Sequence, residues 1–225
     1  MSSHERAPGS GARSRARKPT FAERRELRAG VEDVAEVLDA AARFLEARPR
    51  SVAEVRRRLT GTGYRVSLVD EVVERLVELR YLDDGAFARA WVESRDRARP
   101  RGEHALRREL QLKGVDRALV DEVLGERRDA APERPGASDA EADDPAGAAG
   151  EPAGPDEAAA ERLLRRKLAT ILRERDPRRR RQRAYALLAR NGFAPDVCSI
   201  VTRRVLADAD ALEHGDGVND AADGG

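Results

Sequence analysis

The stretches VRRRLTGTGY (Val55–Tyr64), LRRELQLKGV (Leu106–Val115) and AYALLARNGF (Ala184–Phe193) superpose without gaps, and their repetition decides the fold. In each, a leucine (Leu59, Leu110, Leu188) stands four residues before a glycine (Gly63, Gly114, Gly192), and an apolar residue (Tyr64, Val115, Phe193) follows it directly. Beyond the glycine the match continues through Leu68, Leu119 and Val197 and then Val72, Val123 and Val201. A chain leaving a helix commonly turns left-handed at the residue past its end, where glycine has no Cβ to clash, so the next apolar residue folds back onto the helix. The glycines lie 51 and 78 residues apart. Setting aside a low-complexity run of about 27 residues makes the two spacings equal, which is the mark of three copies of one unit.

Helix-start signals flank these pairs. Ser51 with Glu54 forms a capping-box pattern, Ser67 with Asp70 a similar one, and Asp176 before Pro177 marks a further start. Another helix precedes each pair, at roughly Val34 to Ala47, Asp84 to Arg97 and Glu157 to Arg173. In the second of these, Phe87, Ala90, Trp91 and Ser94 recur at helical spacing, which predicts one buried aromatic stripe. Tyr64 and Tyr81 read as core in the same way, while Tyr185 lies in the most basic unit. No stretch alternates apolar and polar residues with β-branched enrichment, so no sheet is predicted. The expected fold is all-α: three tandem three-helix repeats, about nine helices, sharing a continuous core by packing on neighbours in an elongated, curved array.

The composition fits small modules: 38% of the 225 residues are charged, 4% are aromatic, and the mean hydropathy is −0.68. The net charge of +1 hides a strong sorting, with +5 over residues 1–28, 0 over 29–128, −8 over 129–159, +10 over 160–206 and −6 from 207 on. The sequence therefore divides into a disordered basic extension (1–30), repeat 1 (31–80), repeat 2 (81–128), a disordered acidic Pro/Gly/Ala insert (129–155), basic repeat 3 (156–207) and a disordered acidic tail (208–225). One cysteine, Cys198, excludes an intramolecular disulfide, and the basic N-terminus lacks the apolar run of a signal peptide or anchor. A soluble cytoplasmic monomer is the expectation.

Enzyme chemistry finds no footing. The acid pair Asp83 and Asp84 falls at a helix start, where it caps free N–H groups and faces the positive end of the helix dipole. His4, His104 and His214 are too scattered to build a metal site with Cys198, and the sequence holds no nucleophile elbow or Gly-rich phosphate loop. Cys198 lies between apolar helical positions, as a small core residue would. No catalytic residue, metal or cofactor is expected.

The arginines carry the functional signal. Arg95, Arg99, Arg101, Arg107, Arg108 and Lys113 concentrate charge in unit two, and unit three carries Arg165, Arg166, Lys167 and the run Arg178, Arg179, Arg180 and Arg181. Ion pairs along helical faces account for the balanced units, but the excess on unit three calls for an anionic partner or for the acidic insert. The acidic insert and tail are expected to compete with that partner and to moderate non-specific binding.

The junction RYLDDGAFARAWVESR (Arg80–Arg95), with RGEHALRRELQLKGV (Arg101–Val115), resembles the signature of the RecX regulators. There a tyrosine, a leucine and an acidic pair, here Tyr81, Leu82, Asp83 and Asp84, open a helix with an aromatic stripe, here Phe87 and Trp91. The family's continuation matches Gly102, Leu106, Arg107, Glu109, Leu110, Lys113 and Gly114. The resemblance runs from about Val37 to Leu206, strongest in unit two, good in unit one and looser in unit three; the insert and both terminal extensions depart from the pattern. It implies three tandem three-helix repeats lying in the groove of a RecA filament on single-stranded DNA. There the protein would span subunits, lower ATP hydrolysis and block strand exchange, catalysing nothing itself. The alternative is a stand-alone helical DNA-binding protein or transcriptional regulator. Against it, the helix SLVDEVVERLVELR (Ser67–Arg80) carries Asp70, Glu71, Glu74 and Glu78, a poor surface for a phosphate-lined groove.

Overall fold

The computed structural model describes Arg17 and residues 19–130 and 154–215. The expectations for the extension ahead of Arg17, for residues 131–153 and for the tail from 216 lie outside the described residues. Within them the chain is entirely helical, without strands. A short helix, α1 (Phe21–Ala29), precedes three triplets. The first is α2 (Val34–Glu46), α3 (Val52–Thr62) and α4 (Val66–Glu78), and the second is α5 (Asp84–Ala98), α6 (Glu103–Lys113) and α7 (Arg117–Asp129). The third is α8 (Pro155–Leu172), α9 (Pro177–Arg190) and α10 (Pro195–Gly215). The three-helix repeat read from the glycines is therefore the observed architecture, with ten described helices rather than about nine.

Local chemistry sets the helix ends. The three repeat glycines all adopt the left-handed backbone, with φ of 113°, 81° and 83° at Gly63, Gly114 and Gly192. After each, the next residue's N–H reaches back to the leucine five positions earlier, as Tyr64 does to Leu59, Val115 to Leu110 and Phe193 to Leu188. Ser51 and Glu54 form the capping box of α3, and Asp176 caps α9 through Arg178 N–H at 2.8 Å. The Ser67–Asp70 box does not form: α4 begins at Val66 without a side-chain cap, and Asp70 instead pairs with Arg56 at 2.9 Å.

Each triplet closes around its own apolar cluster, which corrects the expectation of one continuous core. Val37, Val55, Leu59, Val69 and Val72 fill the first, Phe87, Leu106, Leu110, Val120 and Val123 the second, and Leu164, Leu188, Phe193, Cys198 and Val201 the third. Helices of 11 to 21 residues with one apolar stripe each complete a triangular core in threes, so the units need neighbours only at their ends. Phe87 joins the core, but Trp91 is half-buried at its edge, 6.0 Å from the Phe87 ring. Tyr64 is buried as expected, whereas Tyr81 is 71% exposed because it lies in the turn after α4, ahead of the residue that enters the core, Leu82.

The units meet through helix ends, and both junctions follow one pattern. Asp84 at the start of α5 accepts a hydrogen bond from Val52 N–H at the start of α3, at 2.9 Å. At the next junction Asp156 in α8 accepts one from Glu103 N–H at the start of α6, at 3.0 Å. Ser51 Oγ donates to the Lys113 carbonyl (2.6 Å), and at the equivalent place Gly102 N–H donates to the Asn191 carbonyl (3.1 Å). A side chain at Gly102 would overlap the Gly192 backbone, and one at Gly114 would overlap Ala53, so the close approach itself requires glycine.

Helix α1 supplies the same kind of contact to the first unit. Arg28 donates to the Thr62 carbonyl at 3.5 Å, and Gly63 lies against the Arg25 backbone. Residues 21–29 were expected in a disordered extension; a Thr20–Glu23 capping box starts a helix there, and the end of α3 gives it a seat. Likewise α10 continues through residues 208–215 of the expected disordered tail, held by Asp208 on Arg165 (3.1 Å) and Asp210 on Arg180 (2.9 Å).

Candidate polyanion-binding surface

The basic residues divide into those that hold the units together and those that face outward. Arg95 stacks 4.2 Å from the Trp91 ring and bonds Glu109 at 2.7 Å, and Glu109 also accepts the Trp91 indole N–H at 2.9 Å. Trp91 is thereby covered from solvent by Arg95 and by Lys113, 4.8 Å from its ring centre, an arrangement for packing rather than for stacking on bases. Lys113 also reaches Glu54 across the first junction at 2.8 Å. Arg101 bonds the Asn191 side chain across the second junction, and Arg107 pairs with Glu103 at 2.7 Å and with Asp121.

Unit three shows the same division. Arg165 bonds Glu161 (2.7 Å) and Asp208, Arg166 donates to the Ala98 carbonyl of unit two (3.1 Å), and Arg180 bonds Asp210 and the Glu174 carbonyl (3.2 Å). Arg179 lies 3.7 Å from Asp176. The remaining residues of the expected set, Arg99, Arg108, Lys167, Arg178 and Arg181, are exposed and make no ion pair among the described residues. Arg173, Arg175, Arg190 and Arg203 are free in the same sense and were missed. They stand singly or in pairs in the sequence, outside any run of charge; Arg175, Arg190 and Arg203 lack an acid three or four residues away, the one signal available, and Arg173, with Asp176 three residues on, lacked even that.

The acid pair is structural. Asp83 caps its own helix through Ala86 N–H at 2.9 Å, and this bond holds its carboxyl below the ordinary aspartate value. Burial pushes Asp84 up instead, against the opposing hydrogen bond from Val52 N–H, because it caps a neighbouring helix inside the junction. Arg127, whose side chain is 7% exposed, bonds Asp96 (2.8 Å) and Asp156 (2.6 Å) and so ties α7 to α5 and α8. Cys198 is buried, its thiol pushed up by desolvation and directed at the Phe193 carbonyl, 3.5 Å away. Among the described residues no group of three His, Cys, Asp or Glu could hold a metal ion, and no helix is long and apolar enough to cross a membrane.

Three family models match the chain, one per unit: RecX first three-helix domain over residues 38–76, second over 83–124 and third over 155–201. Regulatory protein RecX of Mycobacterium ulcerans is 32% identical over 169 residues, covering 75% of this chain and 84% of that protein. Its counterpart in Mycobacterium avium is 31% identical over 74% of this chain and 83% of its own length. Among solved structures, RecX from Lactobacillus salivarius matches 78% of this chain and 98% of its own, with a TM-score of 0.59 at 16% identity, a likeness of fold.

Proposed function

The chain belongs to the RecX family, a family of regulatory proteins, and from that membership we propose that it binds the RecA filament on single-stranded DNA and restrains it without catalysing a reaction. The observation that carries this reading is the charge of unit three. Its free arginines, with Arg99 and Arg108 of unit two, project from a scaffold in which Arg95, Arg101, Arg107, Lys113, Arg165, Arg166 and Arg180 are held by internal ion pairs and junction hydrogen bonds. A filament offers phosphates and acidic protein surface along a groove, and a row of units joined end to end offers matching contacts at intervals. The contact set we propose is Arg99 and Arg108 on unit two with Lys167, Arg178 and Arg181 on unit three. Arg95, Arg101, Arg107, Lys113, Arg165, Arg166, Arg179 and Arg180 position the units that present it. A cytoplasmic monomer fits this role, since each unit covers its own apolar faces.

The test is RecA's DNA-dependent ATPase during titration with the full-length protein. Inhibition that saturates supports the assignment, and unchanged hydrolysis at saturating folded protein rejects it. Replacing Arg108, Arg178 and Arg181 together by alanine should weaken inhibition while leaving the melting temperature within about 2 °C, because none of the three is paired.

A further inference from the structure

The internal repeat singles out one place where unit three departs from its siblings. Seven residues before each repeat glycine stand Arg56, Arg107 and Tyr185; seven after it stand Asp70, Asp121 and Ser199. In units one and two these positions form an ion pair across the second and third helices, Arg56 with Asp70 and Arg107 with Asp121. In unit three the pair is gone: Ser199 Oγ donates to the Pro195 carbonyl at 2.8 Å, and Tyr185 stands 37% exposed. Ten residues past the glycine, where Val73 and Leu124 fill the core, unit three has Thr202, 2% exposed with a hydroxyl that has no partner among the described residues. One residue further, Glu74 and Gly125 give way to the free Arg203.

These changes converge on a groove of about 440 Å³ between α9 and α10, bordered by Arg180, Arg181, Tyr185, Thr202 and Arg203. Arg180 is fixed there by Asp210, leaving Arg181 and Arg203 as unneutralised cations on opposite helices. The buried hydroxyl is a hydrogen-bonding group that no protein atom among the described residues satisfies, and buried polar groups are almost always satisfied. Thr202 is among the residues that line the groove.

We propose that this groove binds single-stranded nucleic acid, with a phosphodiester between Arg181 and Arg203, a base against Tyr185, and Thr202 donating to the strand. The proposal deepens the filament reading by naming where unit three meets the strand, and rests on that reading for its biological setting. A duplex keeps its bases stacked on one another and has none to offer Tyr185, and an acidic peptide has no use for the aromatic wall.

The experiment measures fluorescence anisotropy of a short labelled oligothymidylate with the full chain, without RecA, across a salt series. Tyr185→Ala should weaken binding roughly tenfold, and Tyr185→Phe should restore it, because stacking needs only the ring. Thr202→Val, nearly isosteric, should weaken binding severalfold while leaving the far-ultraviolet circular dichroism and melting temperature unchanged or raised. Arg181→Ala with Arg203→Ala should lower the slope of log affinity on log salt by roughly 0.7, the share of the one phosphate they clamp on a single strand. A control pair of equal charge, Arg24→Ala with Arg75→Ala in α1 and unit one, should lower it far less. Equal losses in the two pairs, full affinity in folded Tyr185→Ala, or tighter binding of a polyglutamate peptide would each overturn the site. If these variants lose the oligonucleotide while the parent leaves RecA hydrolysis unchanged, the site stands and the filament reading falls. If they inhibit RecA and bind the strand as the parent does, the reverse holds.

Discussion

Arg80 holds a left-handed backbone, with φ of 61°, in the turn that leads from α4 to the second unit. Its side chain is exposed and reaches Asp83 only at 3.5 Å, so little compensates a conformation that a Cβ disfavours. Arg80→Gly should therefore raise stability by about 0.5–1 kcal/mol in urea unfolding, less the small loss from that surface pair. Arg127 is the opposite case. Removing it strands Asp96 and Asp156 without their buried partner, and Arg127→Ala should cost about 2–3 kcal/mol and speed amide exchange at the start of α8. Neither residue stood out in the sequence. A left-handed arginine has no compositional mark, and Arg127 sits beside Arg128 in a helix tail that reads as solvated charge. Tyr81 misled for a related reason: a tyrosine next to a core leucine reads as core, and only the turn geometry puts Leu82 inside and Tyr81 out.

Helix ends, rather than helix faces, carry the contacts between units. Glu54 shows this: burial pushes its carboxyl up, but the hydrogen bonds from Lys113 across the junction and from Ser51 N–H bring it below the ordinary glutamate value. A depressed folded pKa stabilises the fold above the unfolded value and loses that contribution as pH falls through the lowered one. Asp84 works in the other sense, since burial raises its pKa and its ionised form weakens the junction above that value. Glu54→Gln should lower the urea midpoint at about pH 7 and flatten its fall towards about pH 4, whereas Asp84→Asn, which keeps an acceptor for Val52 N–H, should leave the pH 7 midpoint unchanged or higher. Helix α1 invites a coupling test. Gly63→Ala meets both a left-handed backbone and the Arg25 main chain, so its cost, about 1–2 kcal/mol or more, should shrink when residues 1–30 are removed. The helices were legible because apolar spacing and caps are local. The junction bonds were not, since Asp84 looks from sequence like a cap for its own helix and caps α3 instead.

At the scale of the whole chain, charge is segregated, and residues 129–159 carry −8 beside +10 over residues 160–206. The two ends of the acidic insert are held together, because Arg127 bonds both Asp156 and, at 3.5 Å, the Pro155 carbonyl. Replacing residues 131–153 by a short Gly/Ser linker should leave the melting temperature nearly unchanged while tightening single-strand binding at low salt; unchanged affinity and salt slope would reject competition by the insert. The fold class and the excess charge of unit three were legible in the sequence, but the groove between α9 and α10 was not, because it rests on which side chains of two helices share one face, Tyr185 on α9 and Thr202 and Arg203 on α10. The repeated junction carries a consequence for construction. Asp84 meets Val52 N–H as Asp156 meets Glu103 N–H, so the leading edge of one unit suits the trailing edge of either predecessor. Units of this kind are interchangeable links, and a second copy of residues 81–128 spliced in tandem should seat on the first through the same bonds. The protein is in that respect a ruler whose length is set by how many links are strung together, with α1 as its stop at one end.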